Sequence, residues 1–160
     1  MSEQGGTGER LMCDAMLGKL ARWLRAAGHD AAWEYGIDDE ALVRRARDEG
    51  RALVTSDGPL MAHRLIRDGT VRTVFVPVEY DTARQLRHVL ARLGLHLEEP
   101  RCMACGGELA RVAKSAAVEA PPRVLAAHDD FRRCARCGRL FWSGTHWARI
   151  EKTLSALRTV

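Results

Sequence analysis

Much is missing from this chain, and each absence narrows what it can be. Its 160 residues contain no apolar run near the ~20 needed to cross a bilayer, so no membrane association is expected. The first ten residues, Met1 to Arg10, are small and polar with no hydrophobic stretch, so no secretory signal is visible and a cytoplasmic chain is expected. Aromatic residues make up only 6% and prolines number 5. With 46% hydrophobic residues, the chain can still bury roughly 70% of its unfolded surface without disulfides, which excludes a wholly disordered protein.

Cysteine is scarce, but its placement is informative. Four of the five cysteines form two C-x-x-C pairs, Cys102/Cys105 and Cys134/Cys137, while Cys13 stands alone in an apolar stretch. Without an export signal, such pairs read as a metal site rather than a disulfide framework. Glycines follow each pair (Gly106-Gly107 and Gly138), letting the backbone turn so that amides approach the sulfurs. Four soft ligands suit a closed tetrahedral Zn²⁺ of structural rather than catalytic character, with an iron–sulfur centre as the lesser alternative. Cys13 reads as a small buried hydrophobe.

Charge is unevenly spread. Residues 1–100 carry 14 Lys+Arg against 16 Asp+Glu, whereas residues 101–160 carry 11 against 5. A small basic module on a larger, slightly acidic one suits a polyanionic partner.

The larger part alternates strand and helix signals. Leu11-Met12-Cys13 reads as a strand ending at Asp14, followed by a helix from Met16 to Ala27. A strand over Ala31–Tyr35, a helix to Asp48 and a strand over Ala52–Thr55 come next. Pro59 opens a helix to about Asp68, Thr73–Val78 reads as the fourth strand, and a helix spans Asp81–Leu93. This pattern predicts an α/β fold, a parallel sheet with helices on both faces. The expected organisation is a disordered leader over 1–10, an α/β domain over 11–98, and a zinc ribbon with a final helix (Trp147 to Leu157) over 99–160.

Asp14 and Asp57 end the first and third strands, and Asp39, flanked by Asp38 and Glu40, opens the helix before the third. The C-terminal edge of a parallel sheet is where ligands bind, and carboxylates converging there call for a divalent cation, Mg²⁺ or Mn²⁺. Asp38 or Asp39 also reads as a helix cap and Asp57 as a turn residue and cap, whereas Asp14 directly follows an apolar strand. Lys19, Arg22 and Arg25 lie within one arc of the first helix and are candidate phosphate contacts. Arg132, Arg133, Arg136 and Arg139 crowd the second cysteine pair, with Trp142 and His146 beyond, a mixture suited to single-stranded RNA.

The string Asp14-Ala-Met-Leu-Gly-Lys-Leu-Ala-Arg-Trp-Leu-Arg25, then Gly28-His29-Asp30, resembles the start of the mutator-seven C-terminal RNase domain family. Asp39-Glu-Ala-Leu-Val-Arg-Arg-Ala46, Leu53-Val-Thr-Ser-Asp57, both cysteine pairs and Phe141-Trp-Ser-Gly-Thr-His-Trp147 follow in the family's order. The resemblance implies a PIN-like parallel sheet fused to a small four-cysteine zinc ribbon, with metal-dependent ribonuclease activity at Asp14, Asp39 and Asp57. It selects Asp39 over Asp38, because Asp39 stands seven before Ala46. It also implies a fourth carboxylate, for which Glu40, Glu79 and Asp81 are candidates, and leaves a homodimer open. Two rivals stand beside the enzyme: an RNA-binding adaptor without cleavage, and a receiver-like domain phosphorylated on Asp57. The second leaves the cysteines unexplained.

Overall fold

A computed structural model of the chain describes residues 8–158. Four strands, β1 (Leu11–Cys13), β2 (Ala31–Ala32), β3 (Ala52–Thr55) and β4 (Thr73–Phe75), form a parallel sheet in the order β2-β1-β3-β4. Met12 pairs with Leu53 on one side and Ala32 on the other, and Val54 pairs with Val74. The central strands read as continuous apolar runs because both faces are covered; Leu11, Met12, Cys13, Leu53 and Val54 have no exposed surface. One face carries α1 (Gly18–Ala26) and α4 (Thr82–Leu93), and the other carries α2 (Asp39–Asp48) and the short α3 (Arg64–Arg67). The α4 stripe Leu86, Val89, Leu90 and Leu93 follows helical spacing, each side chain contributing about 1.5–3 kcal/mol by burial.

The C-terminal part holds an antiparallel three-stranded sheet, β5 (Leu109–Val112), β6 (Phe131–Cys134) and β7 (Leu140–Trp142), with α5 (Pro122–Ala127) in the connection. The last helix, α6 (Thr145–Arg158), returns to the α/β part, where Ile150 and Leu154 enter the core beside α1 and α4. The expected architecture, a parallel sheet flanked by helices with four cysteines gathered in a small C-terminal unit, is the one observed. No described helix is long and apolar enough to cross a membrane.

Several boundaries differ from the expectation for local reasons. The second strand stops after two residues because Trp33 turns to donate its indole N–H to the Ala15 carbonyl at 3.1 Å. The helix expected from Pro59 breaks at His63, dividing a 3-10 turn (Pro59–Ala62) from α3. The fourth strand ends early because Pro77 brings no amide hydrogen, although Val76 N still donates to the Thr55 carbonyl at 2.8 Å. The helix expected from Met16 begins with a 3-10 turn (Ala15–Leu17), and the final helix starts at Thr145. Of the leader expected over 1–10, positions 1–7 lie outside the described residues. Glu9 meets Arg72 at 2.7 Å, and Arg10 donates to the Glu49 carbonyl at 3.0 Å.

The two parts are laced together at the end of α1. Gly28 has φ +101°, and a Cβ there would stand 2.6 Å from Cβ of Glu98, so only glycine lets the linker pass. Glu98 N donates to the Ala27 carbonyl and Arg101 N to the Arg25 carbonyl, both at 2.9 Å.

Candidate active site and metal centre

The acidic edge is assembled by strand ends. Asp14 follows β1 and is 5% exposed. Its Oδ2 accepts from Thr55 Oγ1 at 2.6 Å and Ser56 N at 3.0 Å, and its Oδ1 accepts from Met16 N at 2.9 Å. One carboxylate therefore ties β1 to β3 and caps the turn after β1. Asp57 is half-buried just beyond β3; its amide donates to Thr55 Oγ1 at 3.0 Å, and its Oδ1 accepts from Leu60 N at 3.3 Å. Asp39, exposed in the first turn of α2, is the movable member, because neighbouring Asp38 takes the cap role, accepting from Ala41 N at 2.9 Å.

Electrostatics join the three. Partial burial, then the charges of Asp57 and Asp14, hold the Asp39 carboxyl above its ordinary range. Among the described residues no lysine, arginine or histidine pairs with Asp14, Asp39 or Asp57. Hard oxygen donors, mutual repulsion and no protein counter-charge are what Mg²⁺ or Mn²⁺ requires, so the donor set fits such an ion. Their oxygens do not all lie within 4.8 Å of one another; among the described residues only the four-cysteine set does. Ser56 adds a buried hydroxyl with no partner. Of the fourth-carboxylate candidates, Asp81 caps α4, accepting from Arg84 N at 2.8 Å, Glu79 is exposed, and Glu40 contacts His63 Nε2 at 3.0 Å.

The cysteine centre is compact. Sulfurs of Cys102 and Cys137 lie 3.7 Å apart, and those of Cys105 and Cys134 3.5 Å apart. A tetrahedron of metal–sulfur bonds near 2.3 Å has edges of about 3.8 Å, so these thiols fit one Zn²⁺. Burial works to raise the Cys134 thiol, yet amides of Cys137 and Arg136 carry it down to about 6. Cys102, by contrast, is pushed up to about 12 by burial. A Cβ on Gly107 would meet the Cys134 sulfur at 2.7 Å, which accounts for the second glycine of the first knuckle. Cys13 belongs to neither site; burial and then Asp14 push its thiol up to about 12.

The candidate RNA contacts separate into three groups. Lys19 and Arg22 on α1, Arg139 after the second knuckle and His146 on α6 are exposed. Arg25 is a correction: it is 6% exposed, donating Nε to the Ala31 carbonyl at 2.8 Å and Nη1 to the Met103 carbonyl at 2.9 Å. Helical arc alone placed it with Lys19 and Arg22, but the C-terminal part covers that end of α1. Arg132, Arg133 and Arg136 are committed to Glu99, Glu119 and Asp30. Trp142 packs against Phe131, ring centroids 6.5 Å apart. Beside it runs a cleft of about 870 Å³ where Arg22, Arg132, Trp142 and His146 face Glu98 and Glu99.

Three features were not anticipated. Asp30 takes Arg51 Nη1 at 3.4 Å and Arg136 Nη2 at 3.4 Å, linking the sheet to the second knuckle. Burial alone would raise its carboxyl; Arg51 and Arg136 together draw it below the ordinary range. His63 bridges back to α2, and Tyr35 stands 86% exposed, edge-on to Trp33. The Gly-His-Asp string marked Asp30, but its partners lie 21 and 106 positions away.

A family model described as Mut7-C RNAse domain matches residues 9–154. The human protein named "Exonuclease mut-7 homolog" is 34% identical over 102 residues, covering 60% of this chain and 11% of the human protein. The match therefore spans a small share of that relative's length. No solved structure matches the chain significantly.

Proposed function

The chain belongs to the Mut7-C RNAse domain family, a nuclease family, and from that premise we propose that it is a metal-dependent ribonuclease acting at the C-terminal edge of its parallel sheet. Three carboxylates on β1, β3 and α2 with no protein cation to neutralise them carry this reading. Asp14, Asp39 and Asp57 would hold Mg²⁺ or Mn²⁺. When bound, such an ion supplies Lewis-acid neutralisation of the phosphodiester charge and acidifies water.

The chain's own groups do the positioning. Three donors fix Asp14, so its carboxylate does not reorganise when charge arrives. Asp57 is oriented by the turn it closes, and exposed Asp39 adjusts to the incoming phosphate. On this reading water is the attacking group, and the products carry a 5′-phosphate and a 3′-hydroxyl. The four cysteines would hold structural Zn²⁺, and the exposed Arg139 after the second knuckle and His146 on α6 would meet RNA alongside Lys19 and Arg22.

Labelled single-stranded and structured RNAs, incubated with the zinc-loaded protein in Mn²⁺, Mg²⁺ or no added divalent ion, test the reading. Cutting that needs the ion and disappears in Asp14→Asn is the expected result. Tight RNA binding without cutting, in wild type and variant alike, would replace the enzyme with the RNA-binding adaptor.

A further inference from the structure

A second feature of the same edge lies on the α2 face. Between α2 and α3 opens a cleft of about 490 Å³, lined by Glu40, Val43, Arg44, Arg47, His63 and Arg64 among others. It begins beside the acidic edge, because Glu40 follows Asp39 and His63 follows the turn that Asp57 closes. Positions 40, 44 and 47 fall on one helical stripe, so the lining leads from the carboxylates down α2 for about 10 Å.

The charges of this cleft are left over. Three arginines face one carboxylate, and that carboxylate is engaged by His63. His63 Nδ1 accepts from Leu65 N at 3.2 Å, so Nε2 carries the hydrogen and donates it to Glu40. The side chains of Arg44 and Arg64 are exposed and make no ion pair or hydrogen bond among the described residues. Their neighbours differ: Arg45 is taken by Glu34 and Glu49, Arg47 by Asp48, and Arg51 by Asp30 and Glu49. Asp68, close enough to feel Arg64, spends Oδ1 on Thr70 N at 2.9 Å. The larger cleft near Trp142 is the opposite case, its Arg132 being neutralised by Glu99 and Asp130.

Two free guanidiniums in a concave site beside uncompensated carboxylates suit an anion that must lie next to a cation site. We propose that the α2–α3 cleft is the subsite for the RNA phosphate backbone flanking the scissile bond, with Arg44 and Arg64 as its phosphate ligands. The assignment rests on the ribonuclease reading and adds to it which side of the acidic edge the strand leaves by. Planar guanidiniums are suited to phosphate oxygens, no Phe, Tyr or Trp lines this cleft, and its one imidazole, His63, is engaged at both ring nitrogens, so it reads backbone rather than base.

The test is binding of a short fluorescein-labelled single-stranded RNA to the zinc-loaded protein in buffer without Mg²⁺ or Mn²⁺, followed by anisotropy across a salt series. Arg44→Gln/Arg64→Gln is compared with Arg87→Gln/Arg92→Gln, which removes the same charge from exposed positions on α4 across the sheet. The cleft variant is expected to bind roughly tenfold more weakly, with a log–log salt slope shallower by about 0.7 for each lost phosphate contact. The α4 variant should keep the wild-type slope. Arg44→Lys/Arg64→Lys should recover most of the slope, and thermal melts should show all variants folded. Equal slopes for the cleft variant and wild type, equal losses in both glutamine variants, or no RNA binding by wild type would each overturn the subsite. Failure of the ribonuclease reading looks different: wild type would bind through the cleft yet cut nothing in Mn²⁺ or Mg²⁺.

Discussion

The acidic edge and the cysteine centre solve opposite problems with opposite means. The four sulfurs already lie within 4.8 Å of one another, in loops closed by glycines and directed by backbone amides. The carboxylates sit on rigid strand ends and a helix start, repel one another, and stay further apart. Short sequence spacing assembles the soft site, whereas the hard site waits for the whole sheet. The first should therefore depend on its ion for folding and the second for reactivity.

The largest effect expected from this contrast is on zinc. Structural Zn²⁺ is worth roughly 10–16 kcal/mol to small domains that close around it. Chelation, or Cys134→Ser, should unfold the C-terminal sheet and open residues 101–142 to protease. The parallel sheet should keep its cooperative melt; loss of both parts together would break the comparison. Asp14→Asn comes next. It should lower metal-dependent cleavage by at least about a hundredfold, several kcal/mol of transition-state stabilisation, while the zinc content measured by a thiol-release assay stays unchanged.

Arg25→Met probes the seam between the regions. Removing the donor leaves the buried Ala31 carbonyl and the half-buried Met103 carbonyl without it, at a cost of about 2–3 kcal/mol in denaturant unfolding. Arg22→Met, on the exposed side of the same helix, should stay within about 0.5 kcal/mol. Equal effects at both positions would return Arg25 to the surface.

The smallest effect is a pH dependence at the same seam. His29 is buried, and burial holds its imidazole below the ordinary range, against the pull of the His96 carbonyl that accepts from Nε2 at 2.8 Å. The unfolded chain then takes up a proton more readily than the folded one below about pH 6.5. The His29 contribution is complete above that value and is lost as pH falls through the lower folded-state value. Wild type should melt lower at pH 5 than at pH 7, and His29→Gln should reduce that difference. An unchanged pH profile in the variant would remove His29 from the account.

Much of this was legible in the residue order. The alternation of apolar runs and helical stripes predicted the parallel sheet, because strands buried on both faces must be apolar throughout. Asp14 could be placed at a strand end directly, since it follows Leu11-Met12-Cys13. The thiol pairs announced themselves because only two residues separate the ligands of each pair. Less visible was how far each element would run: Trp33 shortens β2 through a bond to Ala15, eighteen positions away.

By itself, then, the sequence determined the elements, the apolar faces, the two cysteine knuckles and the carboxylates at the strand ends, because these are set by neighbours within a few residues. Only the tertiary structure decided which charges remain free. Arg25 and Arg44 look alike in the chain, yet one is buried beneath the C-terminal part and the other opens onto the α2–α3 cleft. Whether a guanidinium finds a carbonyl, a carboxylate or nothing depends on segments packed against it from 6 to 78 positions away, as Arg25 shows with Ala31 and Met103. Local spacing carries no record of that.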